Sequence, residues 1–153
     1  MTAQKKTYSE KPIRIIYADD DEDDRIFFKE ALANSKKNFK LLTVADGEKL
    51  LRLIQLNSNL PDILFLDVNM PKINGLECLE QIRKNNAFDN IPVVIISTCS
   101  YPIDDMISKG ANLFICKSSF FEDLSNILIK LFSSNWKEML LSSDGNIYKL
   151  INH

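Results

Sequence analysis

The stretch ILFLDVNMPKINGLECL, residues 63–79, carries the reading of the fold. Ile63 to Leu66 run without a polar break and end on Asp67. Continuous apolarity over the length of one strand, rather than strict alternation, suits a strand covered on both faces, as in a parallel sheet. Leu76, Leu79 and Ile82 then take up a helical spacing. Working outward, Ile13–Ala18, Leu41–Ala45 and Val93–Ile96 repeat the strand pattern, with a weaker fifth run at Leu113–Cys116. Helical stripes lie between them: Phe28, Ala31 and Leu32; Leu50, Leu53 and Ile54; and, most clearly, Phe121, Leu124, Leu128 and Leu131 flanked by Ile127 and Phe132. Ile103, Met106 and Ile107 predict a shorter helix closed by Gly110 as its C-terminal cap. Strand–helix alternation repeated five times predicts an α/β fold, a doubly wound five-stranded parallel sheet with helices on both faces.

The 153 residues are enough for one domain and a short appendage. Residues 1–11 read as a flexible N-terminal tail, 12–132 as the domain, and 133–153 as a C-terminal extension outside the alternation. In that extension Asn135 and Glu138 have the spacing of a capping box for a short helix through Trp136, Met139 and Leu140. Asp144-Gly145 is a turn signal before Ile147, Tyr148, Leu150 and Ile151. Trp136 and Tyr148 suggest that the extension packs on something.

The net charge of −2 hides an uneven distribution, because Asp19 to Asp24 form one unbroken acidic run. Outside it, bases outnumber acids, and no basic cluster points to direct nucleic-acid binding. No apolar stretch approaches the ~20 residues of a membrane span. No apolar core follows the lysines of the first eleven residues, so a secretory signal is not expected and a cytoplasmic location is. The single histidine, His153, is the last residue, which excludes chemistry built on a histidine base or a His cluster. Cys78, Cys99 and Cys116 are odd in number and far apart, with no C-x-x-C, and predict reduced thiols rather than a disulfide framework or zinc knuckle.

Ligands of open α/β sheets bind outside the carboxyl ends of the strands. The first strand there delivers Asp19 and Asp20, the third Asp67, the fourth Ser97 and Thr98, and the fifth Lys117. The second delivers Asp46-Gly47, which reads as a turn. Three close carboxylates raise one another's pKa and call for a compensating charge. Mg²⁺ suits them, since it takes one or two carboxylates and keeps several waters. Lys117 adds a movable point charge of the kind that pairs with phosphate oxygens. A metal, a lysine and a hydroxyl around one carboxylate make a phosphoryl-transfer constellation, with Asp67 as nucleophile forming an acyl phosphate.

RIIYADDDEDDR, ILFLDVNMPKINGLECL, IPVVIISTCS and GANLFICK, in that order, resemble the receiver domain of bacterial two-component response regulators over about Ile13 to Phe132. The resemblance implies a flavodoxin-like receiver fold. It implies a phospho-accepting signalling switch rather than an enzyme, one that catalyses only its own phosphorylation and slow dephosphorylation. It implies that Asp67 accepts phosphate from a phosphohistidine on a sensor histidine kinase or phosphotransfer protein. It further implies that Asp20, Asp67 and the backbone carbonyl of Asn69 ligate Mg²⁺ (or Mn²⁺), with Asp19 acting directly or through water. Ser97 would bond the phosphoryl oxygens and Lys117 pair with them. Phe114 stands where the family keeps a switch aromatic, coupled to movement of the hydroxyl residue, and the reshaped face would control an unidentified downstream protein. The twenty-one residues beyond Phe132 are too few for an output domain, which implies a stand-alone receiver acting as a monomer or weak dimer.

Departures from the family pattern are Ser118 where a proline usually follows the lysine, and Thr98 where a small residue usually follows the hydroxyl. Cys99 and Asn69 occupy positions that tune attack of water on the acyl phosphate. Asp21 to Asp24 read as a solvated first helical turn that steadies the macrodipole. A haloacid-dehalogenase-type phosphatase would need an acid at Asn69 and a late acidic pair, and the sequence has neither. A flavin or nucleotide binder would need a Gly- or hydroxyl-rich first loop, where the acidic run would repel phosphate. A receiver fold used only as an unphosphorylated docking module is the remaining alternative.

Overall fold

The computed structural model describes residues 11–56, 60–98, 102–117, 120–133 and 135–142, with backbone alone for 120–122. Five strands form one parallel sheet: β1 (Ile13–Ala18), β2 (Phe39–Val44), β3 (Ile63–Asp67), β4 (Val93–Ser97) and β5 (Leu113–Cys116), in the order β2-β1-β3-β4-β5. The helices are α1 (Glu22–Ala33), α2 (Gly47–Leu56), α3 (Gly75–Arg83), α4 (Ile103–Ser108), α5 (Phe120–Leu131) and α6 (Trp136–Leu141). A 3-10 turn at Asn86–Phe88 follows α3. This is the doubly wound sheet expected from the alternation of apolar runs. No described helix is long and apolar enough to cross a membrane.

Central strands β3 and β4 are buried at every residue, which is why their sequences are continuously apolar. β2 departs from that expectation. It starts two residues earlier than its apolar run and alternates between half-buried and exposed, because it lies at the sheet edge.

Two cores follow from the period of two along each strand. On one face Ile15, Tyr17, Ile63, Phe65, Val94, Ile96, Leu113 and Ile115 pack with α1 and α5. On the other, Ile16, Leu64, Leu66, Val93, Ile95 and Phe114 pack with residues of α2, α3 and α4. Continuing that parity, Asp67 points to the α1/α5 side, whereas Ser97 falls on the α4 side with Phe114. An aromatic series stiffens the first core: Tyr17 lies 4.4 Å from Phe28, Phe28 4.9 Å from Phe65, and Phe132 5.2 Å from Trp136 between ring centroids.

Residues 135–142 join that core, since Leu140 is buried in it and Trp136 stacks edge-on against Phe132. The expected capping box does not form: Asn135 has φ +62° and its side chain makes no cap bond. A left-handed residue turns its side chain away from the exposed N–H groups that an N-cap must reach. The apolar segment from Ile147 to Ile151 lies outside the described residues.

Two glycines have required positions. Gly110 takes φ +103° just past α4, as a C-terminal cap should. Gly75 opens α3 so close to β3 that a Cβ would stand 2.1 Å from the carbonyl oxygen of Asp67. Gly75→Ala must therefore push α3 or the end of β3 aside. We expect a loss of about 1–3 kcal/mol in urea unfolding, the usual cost of overpacking. A midpoint unchanged from wild type would show that this approach is not a constraint.

Candidate phosphoacceptor site

Asp19 directly follows β1 and stays in the ladder, its N–H donating to the Val44 carbonyl at 3.1 Å. It is fully buried and held from several sides. Tyr17 donates its hydroxyl to Oδ2 at 2.5 Å, and the Asp21 N–H donates to Oδ1 at 2.9 Å. Arg25 donates to its backbone carbonyl at 2.7 Å. Burial, and then the negative charge of Asp19, push the Tyr17 hydroxyl far above its ordinary range, so it remains a donor. Asp20 is exposed, and Asp67, the last residue of β3, is 2% exposed.

Each of Asp19, Asp20 and Asp67 offers an oxygen within 4.8 Å of the others. Lys117, just past β5, brings its ammonium to 3.1 Å from Asp19 and 3.3 Å from Asp67. Despite that ion-pair contact, Oδ1 of Asp67 makes no hydrogen bond, and neither does the buried Oγ of Ser97. Buried polar atoms are almost always partnered, so two orphans at adjoining strand ends mark a site built for a ligand. Burial pushes the Asp67 carboxyl up to about 6, the charge of Asp19 adds to the rise, and Lys117 opposes it. For Lys117, burial works to lower the pKa, but the Asp24 hydrogen bond and the charges of Asp19 and Asp67 outweigh it, so the ammonium is held charged.

The model of the response regulator receiver domain matches residues 15–129 of this chain. The chain belongs to that family. It is 30% identical over 138 residues to the response regulator Rcp1 of Synechocystis sp., covering 85% of this chain and 92% of that protein. It is 33% identical over 113 residues to the uncharacterized transcriptional regulatory protein YrkP of Bacillus subtilis, 46% of whose length it spans. The Mn²⁺-bound form of Rcp1 superposes with a TM-score of 0.71 at 30% identity, over 83% of this chain and 96% of that one. The phosphorylated cyanobacterial phytochrome response regulator RcpA gives 0.71 at 31% identity, over 86% and 96%.

In this receiver the acidic cluster suits a divalent cation. Its donors are hard oxygens, one ammonium cannot balance three carboxylates, and exposed Asp20 leaves a side open to the water that Mg²⁺ or Mn²⁺ retains. Asn69 is exposed two residues past β3. Thr98 is exposed just past β4. Phe114 is buried among the α4-side core residues. Cys99 and Ser118 lie outside the described residues.

Two sequence expectations are corrected. Asp24 is not a solvated member of the acidic run: it is 8% exposed and accepts a hydrogen bond from Lys117 at 2.8 Å. Once Asp21 caps α1, accepting from the N–H groups of Asp23 and Asp24, the helical turn carries Asp24 inward toward β5. The spacing of Asp24 four before the buried Phe28 placed it on the apolar stripe, a signal masked by its neighbours. Reduced thiols hold for buried Cys78 but not for Cys116, which is disulfide-bonded. Separation along the chain does not fix separation in space, so sequence spacing alone could not decide the redox state of Cys116.

The Asp67 shift has a testable sign. Its folded pKa of about 6 lies above the ordinary 3.8, so the folded state holds the proton more tightly than the unfolded chain. That contribution to stability is full below about pH 4 and is lost as pH rises through 6. In EDTA, wild type should lose about 1–2 kcal/mol relative to Asp67→Asn between pH 4 and 7, allowing for solvent screening. At pH 7, Mg²⁺ should stabilise the wild type more than the variant. Urea unfolding across that range checks both, and parallel pH profiles would count against a strained buried carboxyl.

Proposed function

We propose that Asp67 takes a phosphoryl group from a phosphohistidine of a sensor histidine kinase or phosphotransfer protein. The observation that carries this reading is the unpartnered Asp67 Oδ1 within ion-pair range of Lys117, inside the carboxylate cluster. An oxygen of Asp67 attacks phosphorus, the phosphorus–nitrogen bond breaks, and the imidazole of the donor leaves with the bonding pair. The product is an acyl phosphate. Asp19, Asp20, Asp67 and the backbone carbonyl of Asn69 would hold Mg²⁺ or Mn²⁺. The ion, when bound, neutralises charge that builds on the transferring oxygens. The manganese in one Rcp1 structure and the phosphorylation of RcpA support this reading.

Lys117 supplies a positive charge to the phosphoryl oxygens, and the hydroxyl of Ser97 donates to one of them. Tyr17 and the Asp21 N–H keep Asp19 oriented while this happens. Phosphorylation adds about −1.5 to −2 charge and three acceptor oxygens. Ser97 is drawn toward them, and the buried side chains on its face of the sheet, Phe114 among them, repack. Two packings differing by a few kcal/mol are then repopulated, and a downstream protein reads the face around α4 and β5. Residues 12–132 carry this switch, with 133–153 as an extension to it. Phosphohistidine on such kinases is made from ATP, so we assign the exchange to the cytoplasm.

Incubation with acetyl phosphate and Mg²⁺, followed by intact-mass measurement, tests the proposal. Wild type should gain one phosphoryl group, Asp67→Asn none, and wild type in EDTA none. A wild type that stays unmodified under both acetyl phosphate and a phosphohistidine donor would leave the docking-only alternative standing.

A further inference from the structure

Lys117 has three carboxylate claimants, and the nearest is not the proposed acceptor. Its ammonium lies 2.8 Å from Asp24, 3.1 Å from Asp19 and 3.3 Å from Asp67. Asp24 and Asp19 accept hydrogen bonds from it, whereas Oδ1 of Asp67 has ion-pair contact without one. Asp24 stands apart from the three acids that could share a cation. Its backbone is fixed in the first turn of α1 by the Asp21 cap, and its side chain is nearly buried. The carboxylate therefore cannot simply swing into water when a competitor for the lysine arrives.

We infer that Asp24 is a positioning residue that competes with the phosphoryl group on Asp67 for Lys117. The inference rests on the reading of Asp67 as acceptor. An ammonium has three donors. In the resting protein two of them are committed, and the better-formed bond holds the nitrogen toward α1. A phosphoryl group on Asp67 must draw the ammonium back toward β3, stretching or releasing the Asp24 bond, or share it. Releasing a nearly buried carboxylate leaves it poorly solvated, so the cost is set against the phosphorylated state. Asp24 thus sets how readily the receiver is occupied at a given level of phosphodonor.

Fluoroberyllate in saturating Mg²⁺, a phosphoryl mimic that needs no donor, reads this as an equilibrium. On the full chain, Asp24→Asn should bind it about three- to tenfold more tightly than wild type, the scale of one ordinary net hydrogen bond, since the Asp24 contact is stretched or shared rather than wholly lost. Asp24→Ser should do likewise, and Asp24→Glu, which keeps the charge, should return toward wild type. The gain should vanish in a Lys117→Met background, because Asp24 acts only through the lysine. A merely structural aspartate would weaken binding or leave it unchanged, and its effect would persist without Lys117. Unchanged or weaker binding by folded Asp24→Asn and Asp24→Ser overturns the inference, as does a gain that survives Lys117→Met. If wild type binds fluoroberyllate and Asp67→Asn does not, the acceptor reading stands and only the role of Asp24 is at issue. If wild type binds no better than Asp67→Asn, both readings fall.

Discussion

Carboxylates brought within a few ångströms of one another repel, and the burial of two of the three in this receiver sharpens the repulsion. The strand ends gather Asp19, Asp20 and Asp67, so the repulsion is built into the topology, and only exposed Asp20 has solvent to turn toward. Lys117 offsets part of it from β5. Burial first, and then the charge of Asp19, still raise the pKa of Asp67. Excess negative charge of this kind, on hard oxygen donors, suits a divalent cation.

Rigid support for this strained cluster comes from the core beneath it. Tyr17 spans the two, with its ring against Phe28 and its hydroxyl on Asp19. Phe65, two residues before Asp67, packs edge-on against Phe28 on the same face. Any displacement of Asp19 or Asp67 would thus disturb close-packed aromatic contacts. On the opposite face, Ser97 ends a strand whose buried residues pack with Phe114 and Met106. Asp67 lies over one core and Ser97 over the other. In the switch proposed above, a change at Asp67 reaches the α4 side through Ser97 while the α1/α5 core stays in place.

The chain's similarity to Rcp1 covers nearly all of that protein, and to YrkP less than half. What is common to both comparisons is the receiver, the part of the chain that the family model matches. Asp24 joins Asp19 and Asp67 as a third carboxylate within ion-pair range of Lys117 and so alters the balance among charges there.

Much of this was legible from residue order. Apolar runs of strand length announced five strands because fully covered strands cannot carry polar residues, and Gly110 announced the end of α4 because few other residues take its φ. The candidate acids and Lys117 were legible for a similar reason: each follows directly on a buried strand, and strand ends of a parallel sheet share one edge. Edge strand β2 was read with shifted bounds, since its exposure depends on which neighbours it lacks. The disulfide at Cys116 and the left-handed Asn135 gave no local sign, and the spacing that put Asp24 on the stripe of Phe28 was masked by its acidic neighbours. Sequence by itself determined the order of elements and which chemical groups stand at the sheet's edge, because those follow from periodicity and chain connectivity. Only the tertiary structure decided which of the acids Lys117 holds most closely. That choice turns on differences of a few tenths of an ångström between side chains from separate elements, and no one-dimensional pattern contains them.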